Sequence, residues 1–238
     1  MNFGFSHSSN SSNIIDHACV MGTDPEILLL DVDRGTLIHP HHLSCSNEKE
    51  DRSGWWNIEN FGSSIHGDGF GWELYTAPQT CLETLAFIIE GTLNYLVNRV
   101  RNNSNGNYKN VALTMPPMYD IMHDDLVGAP PDVRRLGCDA SFNAYTEGIV
   151  SSPGFLEDIP QRSLGMHIHI SSKALNNDLS KIAVKWADVT AGVMSVAVAS
   201  NHELEARRRQ YYGRAGEHRL NIYASGNSGF EYRVISSD

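Results

Sequence analysis

Cysteine is scarce and unpatterned: Cys19, Cys45, Cys81 and Cys138 are scattered and form no Cys-x-x-Cys pair. Neither a disulfide framework nor a cysteine zinc site is expected, and a reducing, cytoplasmic setting fits best. Positive charge is scarce too. With 18 Lys and Arg against 28 Asp and Glu the net charge is -10, so a nucleic-acid backbone is repelled and nucleic acid is not an expected partner. The long apolar stretch after Asn177 and Asp178 is interrupted by Lys185 and Asp188 and is too short and too charged for a membrane span. The first twenty residues, rich in Ser and Asn, lack the basic start and apolar run of a secretory leader and read as a disordered extension. No Pro/Gly/Ser-rich linker divides the remainder of the chain, so residues 21–238 are expected to form one domain.

What is present alternates between strand and helix signals. An apolar run, Pro25 to Val32, turns at Asp33-Arg34-Gly35 into Thr36-Leu37-Ile38 as a hairpin would. Residues 39–65 read as a polar surface excursion pinned by Trp55 and Trp56. Trp72 to Thr76 reads as a strand with Glu73 on one face. Helical spacing then runs from Leu82 to Val100, with Thr80 and Glu83 as a capping box. Short strands are expected at Val111 to Thr114 and around Ala140 to Tyr145, with a Pro-rich connection through Pro116, Pro117, Pro130 and Pro131 between them. A long apolar helix to about Ser200 should be buried against a sheet, a charged helix should span Glu203 to Gln210, and a hairpin should turn at Ser225-Gly226-Asn227. This pattern indicates α+β, with a largely antiparallel sheet and two long packed helices.

The chemistry concentrates on strands. In Gly165-Met166-His167-Ile168-His169-Ile170-Ser171, alternation sends both imidazoles to one face. Glu231-Tyr232-Arg233 sets a carboxylate beside a guanidinium in the same way. A curved sheet would aim Glu26, Glu73, His167 and Glu231 into one concavity, and carboxylates with one imidazole suit Mg²⁺ or Mn²⁺ better than a closed zinc site. Arg214, Arg219 and Arg233 add permanently charged forks suited to phosphate. Taken singly, a strand glutamate is more often solvent-facing. His-x-His is balanced between a metal site and two structural histidines. His39, His41 and His42 read as incidental loop histidines, and Arg207-Arg208-Arg209 as a solvated helix face; Asp188 is either a paired core polar group or a site residue.

Taken in order, these motifs resemble a known family. The Gly-Met-His-x-His strand and the late Glu-Tyr-Arg strand resemble those of glutamine synthetase. Gly22-Thr23-Asp24-Pro25-Glu26, the Gly137-Cys138-Asp139 to Asn143-Ala144-Tyr145 segment, and Glu205 through Tyr212-Gly213-Arg214-Ala215-Gly216 to Arg233 look like the phage-associated amidoligases, the carboxylate-amine ligase type 2 family. The resemblance spans about Gly22 to Ser236. It implies a glutamine-synthetase-like catalytic domain in which ATP and divalent ions (Mg²⁺ or Mn²⁺) occupy a funnel. ATP would phosphorylate a small-molecule or peptide carboxylate, and an amine would displace phosphate to form an amide. By position, Glu26, Glu73, His167 and Glu231 would hold the metals. Arg214, Arg219 and Arg233 would contact ATP phosphates or the acyl phosphate, with Glu73, Arg219 and Arg233 closest to the chemistry. His169 would touch phosphate or support His167, and Asp139 and Asn143 would lie near substrate. A phage-encoded member would work in the host cytoplasm. Two alternatives compete: a metal-dependent hydrolase built on His167 and His169, and a noncatalytic phage-associated binding protein that keeps the fold.

Overall fold

The computed structural model describes residues 19–46, 52–122, 125, 130, 133, 141–146, 148–150 and 161–238. Its centre is one long strand, β1 (Val20–Asp31), whose sequence alternates Asp24 and Glu26 with Ile27 and Leu29 across the two faces of a sheet. β1 pairs antiparallel with β5 (Gly71–Thr76) and β11 (Met166–Ser171), and its C-terminal end pairs with β2 (Thr36–Leu37) and β6 (Val111–Thr114). Outward from β5 come β4 (Ser63–Asp68) and β3 (Trp56–Ile58). Outward from β11 come β13 (Ser228–Tyr232), β12 (Glu217–Ile222), β8 (Ser141–Asn143) and β9 (Ile149–Val150). Every pairing among the described strands is antiparallel, including the separate pair β7 (Met118–Asp120) and β10 (Gln161–Ser163). The fold is α+β around a large antiparallel sheet, as expected.

One sheet face is apolar and covered by helices. α1 (Leu82–Asn103) buries Leu85, Ile88, Thr92, Leu96 and Val100, a helical stripe. Leu96 and Val100 pack with Ile27, Leu29, Ile65, Trp72 and Leu74 from the sheet. Farther along, Phe230, Tyr232, Ile168 and Ile170 pack with Val184 of α2 (Asn177–Ala187). α2 continues through a π turn (Asp188–Gly192) into α3 (Val193–Val198), and α4 (His202–Tyr211) then leads to β12. Asn176 and Asn201 cap α2 and α4 by accepting from the Leu179 and Leu204 amides.

Several local expectations change. The stretch 39–65 is not simply a surface excursion: it supplies β3 and the start of β4, because Trp56, Ile58 and Ile65 alternate inward into the core. His39, expected on the surface, is buried against Phe70. α1 starts one residue after Cys81, whose thiol donates to Glu83 Oε2, so Thr80 forms no capping box. Asp188 is a paired core group, accepting from the Tyr232 hydroxyl at 2.7 Å. The long helix is not buried all round: it turns Ser180, Val184, Asp188 and Gly192 inward and leaves Ile182, Trp186 and Val189 exposed. Residues 1–18, most of the expected extension, lie outside the described residues, as do Pro131 and Gly137-Cys138-Asp139; β1 already begins at Val20. No helix among the described residues is long and apolar enough to cross a membrane.

The turn from α4 into β12 tests this packing. Gly213 adopts φ +75°, where a side chain is strained, and an added methyl would overlap the buried Arg208 guanidinium. Arg208 in turn donates to the Val234 and Ile235 carbonyls. Gly213→Ala is therefore expected to destabilise the fold by at least about 1–3 kcal/mol, read from urea unfolding; an unchanged midpoint would contradict this account of the turn.

Candidate metal centre on the polar face of the sheet

The second face of the sheet is charged. Alternation within six adjacent strands, together with their register, assembles it. His66 of β4 lies opposite Glu73 of β5, and Glu73 lies opposite Glu26 of β1. Asp24 of β1 faces His167 of β11; His169 faces Glu231 of β13, which faces Arg219 of β12. A smaller apolar cluster, including Leu28, Phe70, Ile121 and Leu164, adjoins the Glu26 end.

His167 is the hub. Its Nδ1 lies 3.3 Å from both Asp24 Oδ1 and Glu231 Oε1, and its Nε2 is 2.7 Å from the Tyr212 hydroxyl. The Tyr212 oxygen also accepts from Arg233 Nε at 2.7 Å, and Arg233 Nε lies 3.2 Å from Glu231 Oε1. His169 brackets the same aspartate, its Nε2 lying 3.0 Å from Asp24 Oδ2, while its Nδ1 meets the Tyr223 hydroxyl. On the other side His66 donates through Nδ1 to the Gly67 carbonyl, which aims Nε2 at Glu73 Oε2, 3.0 Å away. Trp55 stacks on the His66 ring and holds it there. Asp24, Glu26, Glu73, His167, Glu231 and Arg233 are all buried.

Asp24, Glu73 and His167 each offer a ligand atom, and these atoms lie within 4.8 Å of one another. Asp24 Oδ1 is buried, with His167 Nδ1 at 3.3 Å but no well-aligned hydrogen bond. Two carboxylates and one imidazole suit a hard divalent ion such as Mg²⁺ or Mn²⁺, so the residues present fit one. Because His167 Nε2 meets the Tyr212 hydroxyl, Nδ1 is the nitrogen that would be left to hold an ion, and the Tyr212 contact would then fix the ring's orientation.

The expected residues divide. Glu73 and His167 belong to the metal-competent group, and Glu231 adjoins it through His167 Nδ1. Glu26 is held elsewhere: Oε2 accepts the Gly165 amide at 2.7 Å, and Oε1 lies 3.5 Å from Arg162, which also pairs with Asp68. Burial raises the Glu26 pKa against the pull of Arg162, with Asp68 and Glu73 adding to the rise. Arg219, part-exposed, reaches Glu231 Oε2 at 3.2 Å. Arg233 is wholly buried on Tyr212 and Glu231 and acts from behind the ligands. Arg214 is not brought to the cluster by its contacts: it is exposed and donates to the Arg209 and Gln210 carbonyls at the end of α4. His169 supports Asp24. Asn143 accepts from the Tyr145 and Thr146 amides and donates to the Ala215 carbonyl, so it shapes a turn; Asp139 lies outside the described residues.

Four members of the cluster and its surroundings, Asp24, Tyr212, His66 and Arg162, are not among the residues expected from the sequence. Asp24 carried a legible signal, since it lies two residues from Glu26 on one strand and thus on the same face. Tyr212 stood within the Tyr212-Gly213-Arg214 motif without a role. His66 falls between the 39–65 stretch and the Trp72–Thr76 strand, where no element is expected, and nothing in the sequence singles out Arg162. In comparisons with known proteins, no family model and no curated protein matches the chain.

The electrostatics give a test. Burial alone would lower the His167 pKa, but Asp24 and Glu231 outweigh it and raise the value to about 8. Burial alone would raise the Asp24 pKa, and the two imidazoles hold it down instead. The folded value for His167 exceeds its ordinary 6.5, so the imidazolium's stabilisation is complete below about pH 6.5 and is lost as pH rises through about 8. His169, also raised, acts in the same direction. Metal-stripped protein should lose roughly 1–2 kcal/mol of unfolding free energy across that window, and His167→Gln should flatten the fall. Equal wild-type stability on both sides of the window would contradict the hub's charge.

Proposed function

We propose that the chain is an ATP-dependent carboxylate-amine ligase that works with Mg²⁺ or Mn²⁺ and forms an amide through an acyl phosphate. The observation that carries this reading is the convergence of Asp24, Glu73 and His167 within ligand distance, with Glu231 and Arg219 adjoining. The order of motifs resembling the amidoligases supports the substrate class. Carboxylates are poor electrophiles at neutral pH, and bound ATP with its divalent ion would supply the phosphoryl group and part of the charge neutralisation that activation needs.

This chain's own residues do the rest. Asp24, Glu73 and His167 would hold the ion, and His169 and Tyr212 fix the Asp24 carboxylate and the His167 ring beneath it. Arg219 lies at the part-exposed edge of the cluster, where its guanidinium can meet phosphate oxygens while still neutralising Glu231. Arg233, buried beneath, keeps Glu231 and Tyr212 in place. The Tyr75 and Tyr223 rings flank His169. A zinc hydrolase built on both histidines fits less well, because His169 Nε2 is taken by Asp24 and only His167 joins the ligand group.

Release of ADP from Mg²⁺-ATP, measured over a panel of amino acids and peptides, should require a carboxylate and an amine together. Asp24→Asn and Glu231→Ala should each reduce it by about 10²–10³-fold. Full activity in either variant, or ADP release indifferent to the amine, would overturn the assignment.

A further inference from the structure

The α2–π–α3 segment is amphipathic the wrong way round for a lone chain. It turns Ser180, Val184, Asp188 and Gly192, mostly small or polar, toward the sheet. Toward solvent it turns Leu179, Ile182, Trp186, Val189, Val193 and Val196, with Met194 and Val198 beside them; Trp186 is 67 % exposed. At ordinary residue areas these exposed fractions amount to roughly 800 Å² of apolar surface, which is what each partner contributes to an interface of standard size. Monomeric proteins rarely leave so large a contiguous patch uncovered.

The spacing identifies the occupant. Leu179, Ile182, Trp186, Val189, Val193 and Val196 succeed one another at intervals of three, four, three, four and three, the seam by which two helices pack side by side. That series reads the same in both directions about a point between Ala187 and Asp188. A two-fold axis there places Trp186 against Val189 of a second helix, Ile182 against Val193, and Leu179 against Val196. Each pair sets a larger side chain from the first half of the seam against a valine from the second half, so volumes match across the axis. We infer that the exposed face of α2–π–α3 is the antiparallel, two-fold interface of a homodimer of this chain.

A lipid surface is the less suitable occupant. An interfacial helix needs a cationic solvent face, whereas here the opposite face packs on β12 and β13 and the chain carries net charge -10. The inference is independent of the catalytic reading, since the seam lies on the helix-covered side of the sheet and the metal-competent residues lie on the other.

Sedimentation equilibrium of the full chain should show a dimer. Trp186→Glu and Val193→Glu should each weaken it by roughly 30-fold or more with unchanged circular dichroism, whereas Val32→Glu, in the exposed β1–β2 turn, should leave it intact. Trp186→Val should weaken association, and the double swap Trp186→Val with Val189→Trp should recover it, because the axis pairs these two positions. A monomeric wild type, a dimer indifferent to both glutamates, a swap that fails to recover association, or flotation of wild type with anionic vesicles that Trp186→Glu abolishes would each overturn the proposal.

Discussion

The antiparallel register between β1 and β11 sets Asp24 opposite His167, and nearly every property of the polar face derives from that one alignment. A slip of one residue would rotate the acids of β1 into the apolar layer and Ile27 and Leu29 out of it, so the hydrophobic core and the charged site are specified together. The same register holds the Thr23 hydroxyl on the His167 carbonyl and Glu26 on the Gly165 amide, pinning the strand at both sides of the hub. From His167 the order passes outward through Tyr212 to Arg233, through Glu231 to Arg219, and through Asp24 to His169.

Burying so many ionisable groups together is costly, and a hydrophobic replacement of equal volume would often be more stable. The molecule offsets that cost with pairing inside the site and with apolar packing on the other face. Asp24 and Glu231 compensate one imidazole, Tyr212 accepts from Arg233, and Arg162 stands between Asp68 and Glu26. Across the sheet, Trp72 and Leu74 against α1, and Phe230 and Tyr232 against α2, supply water-free contact on the same strands. Perturbed and mutually dependent carboxylates and imidazoles are what chemistry or ion binding requires.

Much of this was legible from alternation. The His167-x-His169 strand, the Glu231-x-Arg233 strand, the strand carrying Glu73 and the antiparallel α+β class all stem from period-two patterning, which survives folding unchanged. What was not legible depends on contacts between distant segments. Glu26 looks like a ligand on its strand, yet the Gly165 amide and Arg162, 139 and 136 residues away, hold it. Arg214 looks like a phosphate ligand by motif, but the free carbonyls at the end of α4 lie within its reach first. His66 escaped notice because its strand is short and Ser-rich, so the tertiary partner β5, rather than local propensity, makes it a strand. The long helix looked buried because its apolar content is high; the face that packs on the sheet is the one with small residues.

Asp24, Glu73 and His167 are placed so that they could share one hard divalent ion. The most direct measurement is Mn²⁺ titration of the metal-stripped chain followed by electron paramagnetic resonance. The account predicts at least one bound ion per chain, displaced by Mg²⁺, with binding that strengthens as pH rises through about 8 while His167 gives up its proton, and that is lost in Asp24→Asn and His167→Gln. Free Mn²⁺ signal at every concentration of wild-type chain, or binding undiminished in both variants, would contradict it.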